Sequence, residues 1–156
     1  MTHEDWMRQA IAVGREGIDG GQTPFGTVIV RDGVLLSRAH NTVWRDLDST
    51  AHAEINAIRL ADRKVQSIDL SGAILYSTCE PCPMCLAAIH WSRLAVCYFG
   101  ARIADAASAA FSEMPIPAET MVSLGRSSLV VHSGLLREEC ARLFSEWSAK
   151  GLSSPY

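Results

Sequence analysis

Two apolar runs, GAILYS (72–77) and LAVCYFG (94–100), constrain the fold more than any other feature of this chain. Each is short and uncharged, so each reads as a strand buried on both faces. Between them lies TCEPCPMC (78–85), then helix-like sequence to about Trp91. Pro83 suits the first turn of that helix, because proline lacks only a donor that the first turn leaves orphaned. Strands covered on both faces require helices on both faces.

The flanking segments supply them. Residues 2–17 predict a helix with Trp6, Met7, Ala10, Ile11 and Gly14 on one stripe. GIDGGQTP (17–24) breaks it. FGTVIV (25–30) and VLLS (34–37) flank Asp32-Gly33, a hairpin turn. After the polar loop 40–50, helix-like sequence runs from Ala51 to about Lys64, with Ser49 or Thr50 as candidate N-cap. ADAASAAF (104–111) reads as helical, EMPIPAE (113–119) as a break and SLVVH (128–132) as a last strand. A final helix carries Leu136, Cys140, Leu143, Phe144 and Trp147 on one face. The alternation predicts an α/β chain: a three-layer αβα sandwich around a mixed five-stranded sheet, in one domain spanning 1–156.

Composition narrows the function classes. Charged residues make up 20% and the net charge is −3, the balance of a soluble globular protein without a basic nucleic-acid face. The first residues lack the apolar stretch of a secretory signal, and no run is long enough to span a bilayer. The expected location is the cytoplasm, where thiols stay reduced. Five cysteines, an odd number, argue against a disulfide framework.

The thiols of TCEPCPMC then need another explanation. A ferredoxin run requires a fourth cysteine where this chain has Ile89. A C-x-x-C redox pair explains Cys82 and Cys85 but nothing else. Cys97 and Cys140 read as core residues, and Cys79 as a buried thiol at a strand end. A zinc site explains more: Cys82 and Cys85 would project side by side from a helix start, whose dipole favours thiolates. Among five histidines, His40 in the loop is a candidate third ligand and His52 stands out, since it too opens a helix, in Ala51-His52-Ala53-Glu54. Three protein ligands leave a coordination position open, as catalysis needs. Glu54, two residues on, would face it without ligating. A four-ligand structural staple would leave Glu54 unused.

Together these residues form H-x-E…P-C-x-x-C, the signature of zinc deaminases. TAHAEINAIR (50–59), LYSTCEPCPMCLAAIHWSR (75–93), PFGTVIVRDG (24–33) and the Asn41 loop resemble the cytidine-deaminase-like superfamily over roughly residues 5–111. Within it, AIHWSR (88–93), DAASAAF (105–111) and the terminal Tyr156 are most similar to bacterial guanine deaminases. The resemblance implies one Zn²⁺ on His52, Cys82 and Cys85, and Glu54 as the proton-transfer residue. It also implies Asn41 hydrogen-bonding the ring, with Ala53 beside it and Phe25, Trp91 and Phe111 walling it. It implies a homodimer in which residues from about 113 to 156 cross over and Tyr156 closes the partner's pocket. One departure stands out: guanine deaminases place an acidic pair where this chain has Ser112-Glu113. Glu113 would accept from the ring N–H and amino group of a 2-amino-4-oxo heterocycle, guanine or the smaller isocytosine. Cytosine deaminases and tRNA adenosine deaminases share the zinc motifs and stand as alternatives. The acidic charge disfavours a tRNA partner.

Overall fold

The computed structural model describes residues 1–151 and 154–156. Its elements are α1 (His3–Asp19), β1 (Gly26–Arg31), β2 (Val34–His40), α2 (Val43–Asp46), α3 (Ala53–Val65), β3 (Ile74–Cys79), α4 (Pro83–Trp91), β4 (Val96–Ala101), α5 (Ile103–Ser108), α6 (Ala118–Leu124), β5 (Val130–His132) and α7 (Arg137–Lys150). They form a five-stranded sheet in the order β2-β1-β3-β4-β5. β1 pairs antiparallel with β2 and β3, while β3–β4 and β4–β5 are parallel. This is the mixed sheet that the alternation predicts.

Strand periodicity assigns the two cores. Val28, Val30 and Tyr76 face α1 and α7, meeting Met7, Ala10, Leu143 and Trp147. Ile29, Leu75, Cys97 and Phe99 face the opposite layer, with Ala57, Ile58, Leu86, Ile89 and Ala118. Successive strand residues point to opposite faces, so each strand serves both layers. Cys97 and Cys140 are buried core thiols, as expected. No helix among the described residues is long and apolar enough to cross a membrane.

Helix α1 lies so close to β1 that a Cβ on Gly26 would sit 2.1 Å from the carbonyl oxygen of Ala10 and 2.5 Å from the Gly14 nitrogen. Both obstacles are backbone, so the helix itself would have to move. Gly26→Ala is expected to cost about 3 kcal/mol by overpacking. That lowers Tm by roughly 10 °C for a chain of this size; an unchanged melting curve would show that α1 sits farther off.

Two helices depart from the sequence reading. Residues 113–119 read as a break, yet α6 begins within them at Ala118, directly after Pro117. Its first amide, Ala118 N–H, is satisfied by Glu80 across the fold, at 2.9 Å, and no local cap announces it. The loop 40–50 also holds the single turn α2. The last helix begins at Arg137, with Leu136 as its N-cap in the left-handed region.

Candidate active site

The site forms where the C-terminal ends of β2 and β3 and the N-terminal end of β1 meet the starts of α3 and α4. His52 is the N-cap of α3 and Cys82 the N-cap of α4, both in extended backbone conformation. Neither side chain makes a capping hydrogen bond. Ser49 and Thr50, the expected caps, lie short of the helix start. Histidine and cysteine are poor caps; at these two positions the side chains turn toward each other instead. Cys85 follows three residues after Cys82, wholly buried in the first turn of α4.

The three donors meet. His52 Nδ1 lies 3.7 Å from Cys82 Sγ and 3.5 Å from Cys85 Sγ. A tetrahedral zinc with ordinary Zn–S and Zn–N bonds sets its sulfur-to-nitrogen edges at about 3.6 Å. Among the described residues this is the one cluster of three histidine, cysteine or carboxylate side chains spaced to hold a metal ion. Its charge state fits as well. The hydrogen bond from Cys85, opposed by burial and helped by His52, brings the Cys82 thiol down to about 4. Cys85 is pushed well above its ordinary value by the Cys82 sulfur first, then by burial and Glu54. A divalent cation would displace protons from both sulfurs. Burial works to depress His52, but the Cys82 hydrogen bond and the Glu54 charge outweigh it and leave the imidazole raised.

Glu54 sits one helix position after Ala53, 6% exposed, and its Oε1 accepts from the Ser77 hydroxyl at 3.1 Å. Burial raises its pKa, with His52 opposing and the Cys82 charge reinforcing. A raised carboxylate beside three metal donors is the environment of a group that must both take and return a proton.

A narrow cavity opens over these residues, lined by Phe25, Asn41, His52, Glu54, Cys79, Glu80, Cys82 and Glu113. It encloses about 10 Å³, the room of roughly one water. Asn41, 1% exposed, fixes its Oδ1 as acceptor for the Val43 amide at 3.0 Å and donates from Nδ2 to the Tyr156 hydroxyl. The loop that carries it is stapled to α3 by Asn56, whose Nδ2 points at the carbonyls of His40 and Ala51 and the hydroxyl of Thr42. Glu113 is half-buried, and burial, with the charges of Cys82 and Glu54, pushes its carboxyl up to about 7. Tyr156 is seated in its own chain, its ring 5.8 Å from those of His52 and Phe111.

Other expected residues fall elsewhere. Trp91 does not wall this cavity: it is 80% exposed at the end of α4, on the rim of separate grooves beside Leu94 and Leu86. Helix α4 is apolar nearly all round, so its sequence gives no inward face for the last turn. Phe111 backs Phe25 edge to face at 4.9 Å and lies in the core. Ala53 is fully buried and packs into the same core without lining the cavity. Of the remaining histidines, His40 binds the Asn41 carbonyl, His90 meets Ser127, and His3 and His132 stack on Tyr98. Cys79, outside the donor cluster, is buried as expected and also lines the cavity. Glu80 and Asn56 carry structural weight that nothing in their local sequence signals.

Comparison with known proteins agrees with this geometry. Residues 1–101 match the family described as the cytidine and deoxycytidylate deaminase zinc-binding region. Guanine deaminase of Bacillus subtilis is 43% identical over 114 residues, covering 72% of this chain and 73% of that protein. The tRNA-specific adenosine deaminase of the same organism is 34% identical and covers 93% of this chain and 88% of its own. Among solved structures, guanine deaminase from Nitrosomonas europaea superposes with a TM-score of 0.88 at 31% identity, covering 95% of this chain and 85% of that one. With the donor cluster in place and Glu54 beside it, the chain belongs to the cytidine and deoxycytidylate deaminase family and is a zinc-dependent hydrolytic deaminase.

Proposed function

We propose that this enzyme deaminates a free nucleobase carrying a 2-amino-4-oxo edge: guanine, with isocytosine as the smaller ring presenting the same groups. The observation that carries this reading is Glu113, a carboxylate facing the cavity that also holds Asn41, His52 and Glu54. Asn41 Nδ2 donates and Glu113 accepts, a pair that complements a ring acceptor beside an N–H and an amino group. The similarity to guanine deaminases supports the same substrate class.

Each residue has a definite task. His52, Cys82 and Cys85 would hold the zinc, which when bound would lower the pKa of a water enough to give a nucleophile near neutral pH. Glu54 takes the water's two protons in turn, passing the first to the ring nitrogen and the second, released as the carbonyl forms, to the departing amine. Water and the amino-bearing carbon thereby become a carbonyl and ammonia. Ser77 holds one Glu54 oxygen, leaving the other to move protons. Phe25 and its Phe111 backing form a rigid apolar wall for a planar ring. The same reading carries a cytoplasmic homodimer; exchange of residues from about 113 onward would replace the Asn41–Tyr156 contact made here within one chain by the same contact from the partner.

The test is ammonia release from guanine, isocytosine, cytosine, adenine, their nucleosides and a tRNA anticodon stem. Guanine or isocytosine is expected to be fastest; faster turnover of the tRNA stem or of cytosine would overturn the reading. Glu113→Gln turns an acceptor into a donor against the ring N–H. It is expected to lower kcat/KM for the preferred base by ~10²-fold with zinc retained.

A further inference from the structure

The residue immediately before Pro81-Cys82 does something the metal chemistry leaves unused. Glu80 is 4% exposed, and both of its carboxylate oxygens are bound. Oε2 accepts from the Ile103 amide at 3.1 Å, and Oε1 from the Ala118 amide at 2.9 Å. Arg102 Nη1 lies 3.5 Å from Oε1 while pairing with Glu119 at 2.9 Å. Glu80's own amide donates to the Ala101 carbonyl at 2.8 Å, fixing its backbone at the end of β4.

Ile103 and Ala118 are the first residues of α5 and α6. They are also the two ends of the segment that delivers Phe111 and Glu113 to the cavity. Between Ser108 and Ala118 there is no helix or strand, and Ser112, Met114 and Ile116 are exposed. Such a stretch has few restraints of its own. It is held by the buried Phe111 ring, a few backbone hydrogen bonds such as Ser112 N–H to the Tyr156 carbonyl, and the two bonds to Glu80. A carboxylate this buried is costly unless several donors converge on it; here they come from both ends of one loop.

We propose that Glu80 is a positioning residue: one buried carboxylate clamps both ends of residues 103–118 to the zinc-binding turn and thereby sets Glu113 against the substrate. The assignment rests on the reading that Glu113 contacts the base. It separates two neighbours in sequence: Cys82 holds the metal, while Glu80 holds the wall that selects what reaches it.

Glu80→Gln keeps size and removes one acceptor. With guanine it is expected to raise KM about tenfold and to change kcat less than about threefold, with one zinc per chain retained. In a Glu113→Gln background, the same change should add less than about twofold, because the clamp has nothing left to position. Amide exchange at Ile103 and Ala118 should accelerate at least ~10-fold, while the amides of α3 and α4 hold. Additive losses in the double variant, loss of zinc, or unchanged exchange at both amides would each overturn the proposal. If the wild-type enzyme leaves guanine untouched, the substrate reading fails by itself. The exchange measurement, and the same cycle on the base it does accept, still decide the clamp.

Discussion

Glu54→Ala is expected to bind zinc normally and to lose at least ~10³-fold in kcat. General acid–base catalysis contributes about 10²–10⁴-fold per positioned group. In the proposed mechanism this carboxylate serves both halves of the proton traffic, removing protons from water and supplying them to the ring and the leaving amine. Its surroundings support that load: it is buried, its pKa is raised, and Ser77 anchors one oxygen. Ammonia release together with metal content is the measurement. Normal turnover by a zinc-replete Glu54→Ala enzyme would remove Glu54 from the mechanism, and loss of zinc would make it a ligand. Glu54→Gln, which keeps the shape, should be nearly as inactive, because an amide cannot cycle the proton.

Cys85→Ser is expected to abolish activity by a different route. Serine does not ionise near neutral pH, so the cluster loses a thiolate donor and its hold on zinc. The variant should purify with less than about a tenth of the metal of the wild type, and its turnover should fall to the uncatalysed background. Stability should move in parallel, since a ligand that binds only the folded state stabilises it by mass action. A chelator should therefore lower the wild-type Tm by several degrees and leave that of Cys85→Ser unchanged. Adding zinc to chelated wild-type enzyme should restore both Tm and ammonia release. Full activity in metal-stripped wild type would remove the ion from the chemistry.

The parts of this molecule legible in its sequence share one property: their signals are local. GAILYS and LAVCYFG become β3 and β4 because uncharged runs flanked by turn residues have few alternatives. The donor set was legible because His52, Cys82 and Cys85 each lie within the first residues of a helix. What escaped depends on contacts between distant residues. Helix α6 follows a proline and has its first amide bound by a side chain 38 positions earlier. Glu80 looks like one more acidic residue until Ile103 and Ala118 arrive beside it. The resemblance points Trp91 at the ring, and a helix apolar nearly all round carries no pattern against it. Ser49 and Thr50 have ordinary capping chemistry, yet α3 starts two or three residues beyond them. His52 holds the position although its ring is committed elsewhere.

Metal and proton chemistry hang on α3 and α4, rooted in the central layer, whereas Glu113 rides on an irregular stretch fastened at two points. If Glu113 selects the base as proposed, bond-breaking and choice of molecule are housed in different mechanical parts. The second could then be redesigned by changing residues 103–118, much as a lathe changes its chuck, without disturbing the motor.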